Sequence, residues 1–314
     1  MKKRILLLSL ILLILLTSCE IFIRSPKPKV HLITIALDYY NVNGNRLYGT
    51  IRDAREFAQA IKKLKEIVNP TVDFEHTAMY QEGANPNVND ENYPTKNKVK
   101  DQIINKLNAL NNEDTLIIYY AGHGENPTGN LVLADVPINV DEILSLFENM
   151  DKGRAVFILD SCYSGQYIPD YPNFGLLNDK EIESYNSRLT VISASSANND
   201  SYEKAILRDP SNQNSFFNLA FPFDDPENHI HGVFTDLFLE AIGWDHNEAI
   251  GEEVDNDNVF ISIAGFINDK NIPTLKNGTV TFGDIYHYIR LRLTGQRSLT
   301  INGPIDTVLF SSWY

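Results

Sequence analysis

Segments typical of buried strands alternate along the chain with segments of helical periodicity, and this alternation limits the fold more than any other feature. The strand candidates are VHLITIAL from Val30, TLIIYY from Thr115, AVFIL from Ala155 and LTVISAS from Leu189. DAREFAQAIKKLKEIV from Asp53 carries its apolar residues on one helical face, and further helices are predicted at 95–110 and near VDEILSLFENM. Strands that alternate with helices form βαβ units. The sequence therefore predicts an α/β fold with a mostly parallel central sheet and helices on both faces.

The length and the net charge of the chain limit the classes of function that it can have. The chain has 314 residues, of which 43% are hydrophobic and 22% charged, so a sizeable core is available. No linker separates the C-terminal segments, and we expect one domain over residues 30–314. The formal net charge of −14 argues against a nucleic-acid partner, because the acidic side chains repel phosphate backbones. Two polar stretches, 163–186 and 197–232, are long for loops and indicate function or mobility.

The N-terminus has the composition of an export signal. A basic start precedes an apolar run from Ile5 to Leu16, and residues 1–18 are predicted to be a signal peptide. The ending Leu16-Thr17-Ser18-Cys19 resembles a bacterial lipobox, which implies lipidation of Cys19, a tether over residues 19–29 and an extracytoplasmic, membrane-anchored lipoprotein. An ordinary signal peptide or an N-terminal anchor helix is the alternative.

Cys162, the second of only two cysteines, follows a predicted buried strand. His123 stands in AGHG, directly after the strand TLIIYY. Ligands of open parallel sheets bind beyond the carboxyl ends of the strands, so both residues fall where chemistry is expected. A thiol needs a base to become a nucleophile, and His123 is the candidate base for Cys162. A lone cysteine is more often a small core residue, and the pairing with His123 favours catalysis.

The residues around this pair suggest an oxyanion site. Gly124 leaves room for a substrate backbone, and its amide N–H is a candidate donor to a developing oxyanion. The amide of Cys162 is the candidate second donor.

The two motifs resemble those of a known family. YYAGHGE and ILDSCYSG are similar to the histidine and cysteine motifs of caspase-like peptidases, in particular the metacaspase branch, and RLTVISASSANNDSYE, YGTIRDAREFAQAI and VTFGDIYHYI extend the resemblance from Val30 to the C-terminus. It implies the caspase-hemoglobinase fold and a cysteine endopeptidase acting on a protein or peptide substrate. His123 is then the base and Cys162 the nucleophile, with no required cofactor.

Two carboxylates are candidates for substrate selection. Asp160 precedes the cysteine by two residues, and Asp53 opens the first helix, so we expect both to face one cleft and to bind a guanidinium or ammonium group. In metacaspases the matching positions select Arg or Lys before the scissile bond. Helix capping by Asp53 and a purely structural hydrogen bond by Asp160 are the alternatives. Thr50 and Ala121 depart from the family's usual cysteine and serine, which leaves the preference between Arg and Lys open.

No metal site is assigned. His229 and His231 are interpreted as part of a solvated loop, since no third ligand is evident. Some metacaspases require calcium, but the spacing of Asp135 and Asp170 does not fit a calcium site well enough to assign one.

Two hypotheses remain at this stage: a membrane-tethered endopeptidase that cleaves after basic residues, and a non-catalytic lipoprotein that uses the same fold as a binding or scaffold module. Self-cleavage at Lys180 is a further expectation of the first hypothesis.

Overall fold

The computed structural model describes residues 27–42, 46–168, 187–196, 198–206, 229–245, 252–254, 260–262, 266–267, 272–293, 300–302 and 308–311. The predicted signal peptide, Cys19, most of the predicted tether, Asp170 and Lys180 lie outside these ranges. None of the helices in these ranges is a candidate transmembrane span.

A six-stranded sheet forms the centre of the molecule, with the strand order β13-β5-β4-β3-β1-β2. Its strands are β1 (Lys29–Leu37), β2 (Asp73–Gln81), β3 (Thr115–Ala121), β4 (Arg154–Asp160), β5 (Leu189–Ser193) and β13 (Thr300–Asn302). The first five are parallel, and β13 pairs antiparallel with β5. The predicted mostly parallel sheet is therefore confirmed.

Helices cover both faces of this sheet, as predicted. One face packs against α1 (Thr50–Val68), α4 (Val233–Ala241) and α5 (Phe282–Arg292). The other packs against α2 (Lys96–Ala109), α3 (Val140–Leu144) and the 3-10 turn Ser145–Phe147. Successive strand residues alternate between the two cores, as Ile117 and Ile118 do, which explains why these strands are apolar throughout.

Several features of the fold were not predicted. The edge strand β2 carries a mixture of polar and apolar residues, because only one of its sides has a partner strand. The stretch 197–232, interpreted as a loop, contains β6 (Glu203–Ile206) and β7 (His229–Gly232), which form an antiparallel pair.

The remaining strands form three short antiparallel pairs: β8 (Trp244–Asp245) with β11 (Phe266–Ile267), β9 (Glu252–Val254) with β10 (Phe260–Ser262), and β12 (Thr279–Thr281) with β14 (Val308–Ser311).

The strand order determines where a ligand site is expected. The chain leaves β1 for β2 on one side of the sheet and then returns to build β3, β4 and β5 on the other. In such sheets a crevice opens at the carboxyl ends of the strands where the order reverses, here between β1 and β3. Ala36, Ala121 and Asp160 lie side by side at this edge.

Candidate active site

The two motif loops leave the sheet side by side. Ala121 pairs with Asp160 in the parallel register of β3 and β4, and the amide of Gly122 donates to the carbonyl of Asp160 over 3.3 Å. His123 and Cys162 each follow two residues later. The structure thus brings the two predicted catalytic residues to one edge of the sheet, on adjacent loops.

Gly124 touches the backbone of the cysteine loop. A Cβ atom at Gly124 would lie 2.0 Å from the carbonyl oxygen of Cys162 and 3.0 Å from its carbonyl carbon. Only glycine allows this approach, since real Cβ contacts are far longer. The two predicted oxyanion donors, Gly124 and Cys162, therefore lie on segments in direct contact.

Tyr39, which follows β1, holds the histidine loop. Its hydroxyl accepts a hydrogen bond from the amide of His123 (3.0 Å) and donates one to the carbonyl of Val132 (2.7 Å). Its ring lies 4.5 Å from the imidazole, centroid to centroid. Tyr39 has a left-handed backbone with φ of 51°. Sequence reasoning missed this residue, because the two backbone groups that its hydroxyl bonds, on His123 and Val132, lie 84 and 93 positions away.

The thiol of Cys162 is half-buried. Its Sγ accepts a hydrogen bond from the amide of Ser201 (3.4 Å) and donates one to the carbonyl of the same residue (3.6 Å). Burial raises the pKa of the thiol to about 11, and the negative charges of Asp200 and Asp160 add to the effect. The resting thiol is therefore protonated at neutral pH, and its reaction as a nucleophile needs a base.

The turn after the cysteine is tight. Tyr163 has a left-handed backbone with φ of 55°, and its amide donates to the carbonyl of Asn199 over 2.8 Å. The next amide, that of Ser164, donates to the hydroxyl of Ser195 (3.2 Å). These bonds fix the cysteine loop against the segments that follow β5.

Asp160 is bound by neutral donors. Its Oδ1 accepts from the hydroxyl of Ser201 (2.8 Å), and its Oδ2 accepts from the hydroxyl of Thr235 (2.6 Å), which in turn bonds the hydroxyl of Tyr119 (2.6 Å). Burial raises its pKa, and these hydrogen bonds oppose the rise. The side chain remains 7% exposed.

Asp53 has a different environment. The α1 helix begins at Thr50 with Gly49 at its N-cap, so Asp53 lies inside the first turn and does not cap it. Its Oδ1 lies 2.6 Å from Nδ1 of His231, and its Oδ2 accepts from the amide of Gly232 (2.8 Å). Only 1% of Asp53 is exposed. Burial and the neighbouring charge of Asp160 raise its pKa well above the usual value.

Gly232 lies between the two carboxylates. A Cβ atom there would lie 2.2 Å from Oδ2 of Asp160 and 3.2 Å from Oδ2 of Asp53. The structure thus brings the two predicted specificity residues together, but the oxygens of both are bonded to groups of this chain.

The interpretation of His231 as part of a solvated loop is wrong. The imidazole is fully buried, between Asp53 and Oε1 of Glu56, which lies 3.6 Å from Nε2. The side chain of His229 lies outside the described part of the chain. No sequence signal marks His231 as buried, because its contact with Asp53 spans 178 positions.

Asp135, considered for calcium, has a structural contact. Its Oδ1 accepts from the amide of Lys96 over 2.8 Å at the start of α2, where the N-cap residue Thr95 makes no side-chain capping bond. Across the residues that the structure describes, no group of three or more His, Cys, Asp or Glu side chains is arranged to hold a metal ion.

Comparison with known proteins identifies the family. The family model for the caspase domain matches residues 31–281. The crystal structure of caspase-1 from Spodoptera frugiperda aligns with 91% of this chain and 90% of its own length, at 10% sequence identity and a TM-score of 0.47. No curated protein matches the chain significantly. Because the family model spans most of the 314 residues, the chain belongs to the caspase-domain family of cysteine peptidases.

Proposed function

We propose that this protein is a cysteine endopeptidase that uses His123 as its base and Cys162 as its nucleophile. The observation that carries the proposal is the contact between the loops after β3 and β4, where Gly124 lies against the backbone of Cys162. Membership of the caspase-domain family supports the same reaction class.

The residues support a two-step acyl transfer. The thiol proton of Cys162 passes to His123 as Sγ attacks the carbonyl carbon of the scissile bond. His123 then gives that proton to the departing amine, and a thioester forms on Cys162. Water hydrolyses the thioester, releases the acid product and restores the thiol. The amides of Gly124 and Cys162 are the proposed donors to the oxyanion in both steps.

We further propose, in line with the metacaspase branch, that cleavage follows Arg or Lys. Asp160 lies two residues before the nucleophile, and its carboxylate lies across Gly232 from that of Asp53. Carboxylates near a nucleophile attract a cationic side chain and repel an acidic one.

The proposed location is the bacterial cell envelope, outside the cytoplasm, with lipidated Cys19 as the membrane anchor. The lipobox-like ending of residues 1–18 supports it. Metabolic labelling with a fatty acid in a bacterial host tests this point: label is expected on the wild type and lost in Cys19→Ala, whereas label retained by the variant contradicts it.

A hydrolysis assay tests the activity. Fluorogenic peptides with Arg, Lys or Asp before the reporter are offered to the wild type, Cys162→Ala, His123→Ala and the matched control His287→Ala, which changes an exposed histidine of α5. The expected result is cleavage after Arg or Lys that both dyad variants lose and the control keeps.

Three other results have distinct meanings. Cleavage after Asp keeps the dyad and overturns the proposed selectivity. Cleavage that survives in Cys162→Ala overturns the nucleophile. No cleavage of any peptide, with and without calcium, favours the non-catalytic binding module.

A further inference from the structure

His231 is a histidine enclosed by carboxylates. Its Nδ1 lies 2.6 Å from Oδ1 of Asp53 and its Nε2 lies 3.6 Å from Oε1 of Glu56, while all three side chains are nearly or completely buried. A buried carboxylate is costly unless it is paired, and an imidazolium between two carboxylates is stabilised by both.

Glu56 and Glu203 are two further carboxylates near His231. On α1, Glu56 accepts from the indole of Trp244 (3.0 Å) and interacts electrostatically with Arg52 more strongly than Asp53 does. On β6, which pairs with the strand of His231, Glu203 accepts from the amides of Tyr48 (3.1 Å) and Gly49 (2.7 Å).

Asp160, like Glu203, is bonded by neutral groups. Its hydrogen bonds come from the hydroxyls of Ser201 and Thr235 and from the backbone of Thr235, none of which carries a charge. It is also more exposed than Asp53, at 7% against 1%. Of the two carboxylates proposed to select the substrate, Asp53 is therefore bonded to an ionisable base and Asp160 to neutral groups.

We propose that His231 is a specificity-determining residue: as an imidazolium paired with Asp53 it neutralises one carboxylate of the pocket, so that Asp160 alone receives the basic side chain of the substrate. This inference rests on the proposed selectivity for Arg or Lys and deepens it. Asp53 then acts through His231 as a positioning residue, which replaces the expectation that it touches the substrate.

The test uses benzamidine, an amidinium that mimics the arginine head group, and the full chain carrying Cys162→Ala so that no reaction occurs. Calorimetry measures its dissociation constant between pH 5 and pH 9 for this parent and for three variants of it: Asp160→Asn, Asp53→Asn and the double variant Asp53→Asn/His231→Asn. In the double variant, the asparagine side chains at these two positions replace the ion pair of Asp53 and His231 with a pair of neutral amides.

The expected pattern is specific to charge. Asp160→Asn weakens binding about 100-fold or more at every pH, because it removes the negative charge that receives the cation. Asp53→Asn removes the nearer of the two carboxylates that face the imidazolium and leaves Glu56, so part of its charge is uncompensated. Binding is then weakened at low pH and recovers as His231 loses its proton. The double variant restores affinity to within about threefold of the parent at every pH. A purely structural role for His231 predicts no such rescue.

Two results overturn this inference alone. If the double variant binds benzamidine as weakly as Asp160→Asn does, Asp53 itself receives the cation. If nitrogen-detected NMR of the Cys162→Ala parent finds only one protonated ring nitrogen on His231 at pH 7, the imidazole is neutral and does not neutralise Asp53. The NMR measurement needs no pocket variant, so it decides the matter even where a variant fails to fold.

Failure of the proposed function has a different signature. If the Cys162→Ala protein and its variants follow the expected benzamidine pattern but the protein with Cys162 cleaves no peptide, the inference about His231 stands. The peptidase assignment then fails. A parent that does not bind benzamidine overturns both the inference and the basic selectivity, while the hydrolysis assay still decides whether Cys162 is a nucleophile.

Discussion

Replacement of Gly124 by alanine is the sharpest structural perturbation of the proposed active site. The new Cβ would lie 2.0 Å from the carbonyl oxygen of Cys162, and ordinary van der Waals contact begins at 3.4 Å. The obstacle is backbone, so a side-chain rotation cannot relieve the clash. Real Cβ contacts below 3.0 Å are essentially never seen, so the loops of His123 and Cys162 must move apart by about 1 Å or more.

That separation has a calculable effect on rate and stability. A misplacement of about 1 Å between reacting groups costs about 100-fold in rate, so kcat for an Arg peptide is expected to fall at least that far in Gly124→Ala. Overpacking typically costs about 1–3 kcal/mol, so the free energy of unfolding falls by a similar amount and the protein stays folded.

Gly83→Ala is the matched control for this prediction. Gly83 has a φ of 72°, so alanine there adds backbone strain of about 1 kcal/mol, but its Cβ would meet nothing within 4 Å. It follows β2, three strands away from β4. Peptide hydrolysis and urea denaturation of both variants provide the comparison. A Gly124→Ala protein that retains kcat within about threefold of the wild type refutes the reasoning.

Three further predictions concern residues that stabilise the fold or position the active site. Phe57→Ala removes a fully buried ring stacked 4.4 Å from Tyr119, and urea denaturation should show a loss of about 3–5 kcal/mol; less than about 1 kcal/mol would contradict the packing. Tyr39→Phe removes the hydroxyl that accepts from the amide of His123, and kcat is expected to fall about tenfold with little change in KM; an unchanged kcat argues against a positioning role. Hydrogen bonds from Lys106, and then Lys29, lower the pKa of Glu75 to about 2 from about 4.5, so this carboxylate stabilises the fold above about pH 4.5 and the contribution disappears as pH falls through about 2. The side chain of Glu75 is 39% exposed and solvent screens its ion pairs, so Glu75→Gln should lower the free energy of unfolding by less than about 1 kcal/mol at pH 7. A loss of the same size at pH 2 would contradict the pairing.

Much of the fold could be predicted because the buried strands are locally distinctive. The runs at β1, β3, β4 and β5 face apolar cores on both sides, so they are apolar throughout and easily recognised. The strand β2 lies at an edge, and its mixed sequence gives no such signal. The pair β6 and β7 is only four residues long on each side, too short for a periodic pattern.

The site could be predicted only in part for a related reason. The order of the motifs and their positions at strand ends predicted that His123, Cys162 and Asp160 lie close together, because each residue follows or ends a recognisable strand. Tyr39 and His231 have their roles through partners 84 and 178 positions away, and nothing beside them in the sequence shows those contacts. The hydrogen bonds between Ser201 and Cys162 likewise depend on how the chain returns after β5.

The central claim is that Cys162 is a nucleophile paired with His123 in a pocket for basic side chains. Covalent labelling tests it most directly: the full chain is treated with peptidyl acyloxymethyl ketones that carry Arg, Lys or Asp next to the reactive carbon, and the adduct is located by mass spectrometry. The account predicts one thioether adduct on Cys162 with the Arg or Lys reagent, little with the Asp reagent, and slow labelling in His123→Ala. A Cys162 thiol that stays unmodified by all three reagents would contradict the account.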